Sequence, residues 1–199
     1  MKLKDLYNHI AETMQVGRIN FANTIKKVEK HECSLDGMTD EIEWWMTMRN
    51  NQEYHCSFSD TNELMFVAIT KNTILNGISY TEFLAANTYD GFAGNSFFQR
   101  FVYFLKTQKN KPVLIGDVIS PATEKSLKKT YATGRFKMYW IDTSTNTQHS
   151  FQPDTIDSFT SLMDKTNNRL IIESSKPIFP RFREPDNYLS GAILFEDIE

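Results

Sequence analysis

The chain has 199 residues, 40% of them hydrophobic and 24% charged, with a formal net charge of −3. These values exclude a disordered chain, and two cysteines, Cys33 and Cys56, are too few for a disulfide framework. A pI near 5.8, with Lys106, Lys109 and Lys111 diluted among 25 acids, argues against a nucleic-acid partner.

The opening Met1-Lys2-Leu3-Lys4-Asp5 lacks the apolar run of a secretory signal, and no stretch approaches the length of a membrane span. A cytoplasmic location with both thiols free is therefore the expectation, although two cysteines still permit one bridge. Leu3, Leu6, Tyr7, Ile10 and Met14 stand at helical spacing and predict a helix over 3–14. Ile19, Ala22, Ile25 and Val28 predict a second over 19–31. Residues 34–40 (SLDGMTD) read as a turn. Three strands, over 41–48, 54–59 and 63–70, then follow with short polar turns between them, the pattern of an antiparallel meander.

Residues 78–88 suit a fourth strand, and Gly91-Phe92-Ala93-Gly94-Asn95-Ser96 a glycine-containing loop. Phe97, Phe101, Phe104 and Leu105 mark the inner side of a helix over 97–107. A short buried strand over 112–117 precedes a helix with Ser120 as N-cap, Pro121 at its first position and Gly134 at its end. Residues 136–142 alternate as a strand. The tail reads as a helix over 154–165, a strand over 169–174 and an extended, surface-wrapping segment over 176–188. The expected class is mixed α/β (α+β), a mostly antiparallel central sheet flanked by helices. One domain, 1–199, would comprise N-terminal helices (1–33), a core (41–142) and a C-terminal extension (143–199).

Few constellations could carry chemistry. Read from its residues alone, the stretch Gly91 to Ser96 is an ordinary strand-to-helix turn. Glu82, on the strand leading to that loop, and Glu63, which begins the strand before it, are the candidate general bases, against the plainer reading of solvated glutamates. His31, Cys33, His55 and Cys56 are ligand-type residues, but His55 and Cys56 are adjacent and on a strand point to opposite faces, so no metal site is assigned. Trp44-Trp45 and Phe97-Phe98 read as core; one tryptophan of an adjacent strand pair must face away from the other, and if exposed would mark an interface.

The order of meander strands, strand, glycine loop, helix, strand, helix, strand over roughly 41–142 resembles the GNAT superfamily of acyl-CoA-dependent N-acyltransferases. In that family backbone N–H groups of the loop hold the pyrophosphate of CoA. The resemblance carries that role onto Gly91, Phe92, Ala93, Gly94, Asn95 and Ser96, with Asp90 where the family usually has a basic residue. Leu114-Ile115-Gly116-Asp117, Ser120-Pro121-Ala122 and Gly134-Arg135-Phe136-Lys137-Met138 are similar to the strand–helix–strand close of phage-encoded members. A tyrosine that protonates the departing thiolate would correspond to Tyr131, one residue nearer Gly134 than usual, with Glu82 as base. The resemblance implies acetyl-CoA as cofactor and a small-molecule or protein amine as acceptor. The alternative expectation is a non-enzymatic, phage-type interaction protein that binds and modulates a host protein in the host cytoplasm, supported by the acidic balance, Asp90 and the proline-rich tail.

Overall fold

The computed structural model describes residues 28–89, 91–115, 121–151 and 167–174, with the backbone alone over 121–126. After a 3₁₀ turn at Lys30–Glu32 come β1 (Ser34–Thr39), β2 (Ile42–Arg49), β3 (Gln52–Phe58), β4 (Leu64–Leu75) and β5 (Ile78–Thr88). Then follow α1 (Phe97–Gln108), β6 (Val113–Ile115), α2 (Pro121–Ala132), β7 (Phe136–Asp142), β8 (Thr147–Ser150) and β9 (Asn168–Ser174). The strands form one nine-stranded sheet in the order β1-β2-β3-β4-β5-β6-β9-β7-β8.

Local chemistry sets the hairpins. Three two-residue turns join β1 to β2, β2 to β3 and β4 to β5, and both residues of each turn are left-handed: Asp40 and Glu41, Asn50 and Asn51, Asn76 and Gly77. This backbone matches the twist of the flanking strands, and Asn, Asp and Gly adopt it at least cost. The segment read as a turn, 34–40, is instead mostly strand. Pairing with β2 outweighs its turn propensity, and Asp36-Gly37 becomes a bulge, with Leu35 opposite Trp45 and Gly37 opposite Trp44.

The sheet buries both faces. One carries Trp44, Phe66, Ala68, Phe83, Val113, Met138, Trp140 and Ile172, and α1 packs Phe97, Phe101, Phe104 and Leu105 into the same cluster. Leu127 of α2 joins that cluster as well, so the two helices share one face. The opposite face carries Tyr54, Cys56, Val67 and Ile69 toward β1 and Tyr80, Leu114, Ile141 and Ile171 toward β8.

The expected α/β (α+β) sheet flanked by helices is thus corrected. Strands dominate the described residues, and among these no pair of long helices sandwiches the sheet. The reason is the extent of pairing: β4 and β5 run five or more residues beyond the ends of their neighbours, and β1 and β8 are added as edges. The polar, exposed β8 carries no alternation that marks it as a strand. Asn168–Ser174, from the stretch read as an extension, sits inside the sheet between β6 and β7. The helices expected over 3–14 and 154–165 and the extended tail over 176–188 lie outside the described residues.

Candidate functional site at the parting of β5 and β6

β5 and β6 are the one parallel pair among the described strands, joined by a crossover through α1. Their register runs Thr81–Val113, Glu82–Leu114 and Phe83–Ile115. Beyond Phe83, β5 continues to Thr88, and among the described residues this extension has no neighbour on the β6 side. A bulge at Leu84, between Phe83 opposite Thr70 and Ala85 opposite Ile69, turns the strand at the same place and leaves Leu84 exposed. Ligands of open sheets with parallel strands lodge at such carboxyl ends.

The glycine loop opens from this end. Tyr89 N donates to Met65 O at 2.9 Å and Phe92 N to Tyr89 O at 3.1 Å, which closes a turn. Gly91 (φ 80°) and Gly94 (φ 84°) supply left-handed backbone, and a β-carbon at Gly94 would meet nothing within 4 Å. Phe92 and Asn95 are buried, and Asn95 Nδ2 donates to Phe92 O at 3.1 Å. Ser96 stands at the N-cap in the left-handed region, and its hydroxyl does not cap the helix. The usual side-chain acceptor for the first amides of α1 is therefore not used.

Arg100 locks the loop from inside. It is 1% exposed, its Nε donates to Asn95 O at 2.8 Å, and its Nη1 lies 3.4 Å from Asp40 O and 3.9 Å from Asp40 Oδ2. Burial works against its charge, which Asp40 and Glu41 support and Arg135 opposes. A guanidinium stays cationic in this setting, so the loop rests on a fixed positive charge.

The expected catalytic pair is placed as follows. Glu82 projects from the face that carries Tyr80 and Leu114, accepts from Thr73 Oγ1 at 2.6 Å and pairs with Lys71 Nζ at 3.1 Å. Tyr131 ends α2 on the opposite face, with its ring 5.0 Å from that of Phe151, and lines a groove of about 530 Å³ with Tyr139, His149 and Ser150. Its neighbour Thr130 accepts from Gln99 Nε2 at 3.1 Å, which ties the last turn of α2 to the first turn of α1. Glu63 is exposed at the start of β4, and its amide donates to Ser59 Oγ. The six loop residues are contiguous at the α1 N-terminus; Glu82 and Tyr131 are on opposite sides of the sheet.

Sequence reasoning missed a second constellation. His55 is 3% exposed on β3, with Phe101 of α1 packed against its ring at 4.9 Å. Its Nε2 lies 3.1 Å from both Glu53 Oε2 and Thr70 Oγ1. Its Nδ1 faces Asp36 Oδ2 at 3.7 Å, a Coulombic rather than hydrogen-bonding distance. Asp36 pairs in turn with Lys109, just past α1. Burial pushes the imidazole toward neutrality, but Asp36 and Glu53 outweigh it and raise its pKa. The hydrogen bond from His55 lowers Glu53. Burial opposes ionisation of Asp36, yet His55 and Lys109 hold it below the usual range. Glu53 and His55, two apart on a strand, are legible as sharing a face; Asp36 reaches them only because of the bulge. The cluster joins β1, β3, β4 and the C-terminal end of α1, and Phe101 packs against its imidazole.

No family model and no curated protein matches this chain.

Proposed function

We propose that this chain binds an acyl-CoA thioester where β5 and β6 part and transfers its acyl group to an amine, the activity that the GNAT resemblance implies. The observation that carries this reading is the coincidence of three features at one end of one parallel pair: the length of β5 beyond Phe83 that has no described neighbour on the β6 side, the Leu84 bulge, and the left-handed loop that leads into an α1 N-terminus that the Ser96 hydroxyl does not cap. Backbone amides and the helix dipole at such a terminus favour a diphosphate, and the buried Arg100 adds to the field. An extended chain such as pantetheine would lie along the β6 side of β5 beyond Phe83. The amine would then attack the thioester carbonyl directly, with the departing thiolate protonated by Tyr131.

Isothermal titration with acetyl-CoA, coenzyme A and ATP tests the binding step. Saturable heat with both CoA species and a weaker response to ATP is expected; no heat at millimolar acetyl-CoA removes the reading. Release of CoA thiol in the presence of a panel of small amines and lysine peptides then tests transfer.

A second reading is favoured by the edge strand. Leu35 and Met38 of β1 and Met48 of β2 are each more than half exposed, which suits a non-enzymatic module that docks a host protein along β1. If acetyl-CoA is inert and a stoichiometric partner is lost on exchange of Leu35 and Met38 for Glu, this reading replaces the first.

A further inference from the structure

Cys33 and Cys56 are far apart in the chain and close in the fold. Cys33 immediately precedes β1, and Cys56 lies in β3 opposite Trp45 of β2. Both side chains pack in the apolar cluster of Val28, Tyr54, Phe58, Val67 and Ile69, near enough for each thiol to shift the other's ionisation, while Cys33 Sγ donates to Glu29 O at 3.6 Å and Cys56 Sγ to Tyr54 O at 4.0 Å. Their environments differ. Cys56 is 0% exposed, whereas Cys33 is half-buried and lines a groove of about 600 Å³ with Lys30, His31, Trp45 and Leu64. One thiol of this cluster is thus open to a small solute and the other is sealed within it.

We propose that Cys33 is a modification site for hydroperoxides and Cys56 its resolving thiol, so that oxidation closes a Cys33–Cys56 disulfide between the segment before β1 and strand β3. The chemistry runs in two steps. The Cys33 thiolate attacks one oxygen of the peroxide; the O–O bond breaks, an S–O bond forms, and the leaving oxygen departs as water or alcohol after taking a proton. Cys56 sulfur then attacks the Cys33 sulfur of the sulfenic acid, the S–O bond breaks, and the hydroxide released takes the Cys56 proton as water. Two thiols lose two electrons and two protons, and the peroxide is reduced to two molecules of water, or to water and an alcohol.

The asymmetry of the pair sets the order of events. The neighbouring Cys56 thiol favours the Cys33 thiolate and outweighs burial and the opposing charge of Glu32, with Arg49 adding to the effect; Cys56 is correspondingly held protonated. Cys33 is therefore the nucleophile and Cys56 the thiol that waits. The sulfenic acid forms in the same apolar cluster as its resolving partner, which favours the disulfide over further oxidation. The cross-link spans the β1–β2–β3 meander and withdraws the Cys33 thiol from the groove rim beside Trp45 and Leu64.

The experiment uses the full chain, fully reduced and freed of reductant, titrated with hydrogen peroxide. Free thiols are expected to fall from two per chain to none. Intact mass should drop by about two hydrogens, and non-reducing peptide mapping should recover Cys33 joined to Cys56. The thermal midpoint should rise by roughly 5–10 °C and return on reduction. In Cys56→Ser, Cys33 should stop at a sulfenic acid that dimedone captures; in Cys33→Ser, Cys56 should stay unlabelled over the same interval. Intermolecular Cys33–Cys33 dimers as the main product, sulfinic acid without a disulfide in the wild-type chain, or equal labelling of the two single variants would each overturn the proposal. The wild-type map decides the matter if either variant fails to fold.

Discussion

Gly37 and Phe104 are packed so closely that a β-carbon on Gly37 would stand 2.8 Å from Phe104 Cε2. Phe104 cannot yield, because it is fully buried and stacks on Trp44 at 5.7 Å and Phe101 at 6.1 Å. Gly37→Ala should therefore cost about 2–3 kcal/mol, read as a lower urea midpoint with an unchanged m-value. It should also disturb the bulge that aims Asp36 at His55, so the variant should lose part of the pH dependence described next. A neutral effect on stability would show that β1 can move away from α1 freely.

Stability should have a pH profile written by the His55 cluster. The groups facing the imidazole are Asp36 from β1, Glu53 from β3, Thr70 from β4 and the Phe101 ring from α1, with Lys109 behind Asp36 and Lys111 near Glu53. The raised His55 pKa contributes stability that is complete below the ordinary histidine value of about 6.5 and is lost as pH rises through the folded pKa. The lowered Asp36 and Glu53 contribute stability present above about pH 4.5 and lost as pH falls through their folded values. Urea midpoints should therefore be highest between about pH 5 and 6.5 and fall on both sides. His55→Gln should cost about 3 kcal/mol near pH 6 and flatten the alkaline decline. A variant that keeps the wild-type slope would mean another group titrates.

Arg100 is the pin of the glycine loop, and its forked head is needed for the task. Lysine at that position keeps the charge but cannot donate from Nε to Asn95 O while also reaching Asp40. Arg100→Lys should cost about 2 kcal/mol and weaken acetyl-CoA binding roughly tenfold if the loop is the site. Asp90→Arg, which removes a like charge beside the expected diphosphate, should strengthen binding by a similar factor. Calorimetry reads both, and unchanged affinity in both variants would place any CoA elsewhere.

The β4–β5 hairpin offers a backbone test without side-chain complications. Gly77 has φ +77° and open space where a β-carbon would stand. Gly77→Ala should cost about 1 kcal/mol through left-handed strain alone. Gly77→Asn should be tolerated better, because asparagine enters that region more readily. Thermal midpoints of the two variants, ranked against wild type, check this.

Much of the strand content was legible because it is local. The segment 136–142 alternates in apolarity, and both it and 78–88 are strands within the expected bounds. Phe97, Phe101, Phe104 and Leu105 mark a helix that runs one residue past its expected end. Residues 34–39 were misread because turn propensity and pairing compete there, and only the partner strand decides between them. The balance of sheet to helix was misjudged for a related reason: edge strands such as β8 take their hydrogen bonds from β7 and need no apolar pattern of their own.

By itself the sequence determined the alternation of strands and turns, the helix between the glycine loop and β6, and the position of that loop before the helix. These follow from side-chain periodicity and from backbone angles that glycine and asparagine tolerate, both properties of neighbours in the chain. Only the tertiary structure decided that β9 enters between β6 and β7, that both described helices share one face, that Asp36 meets His55, and that Cys33 and Cys56 share one apolar cluster. Those contacts join residues about 20 or more positions apart, and each is set by strand register and one bulge, which depend on burying a whole sheet rather than on any local preference.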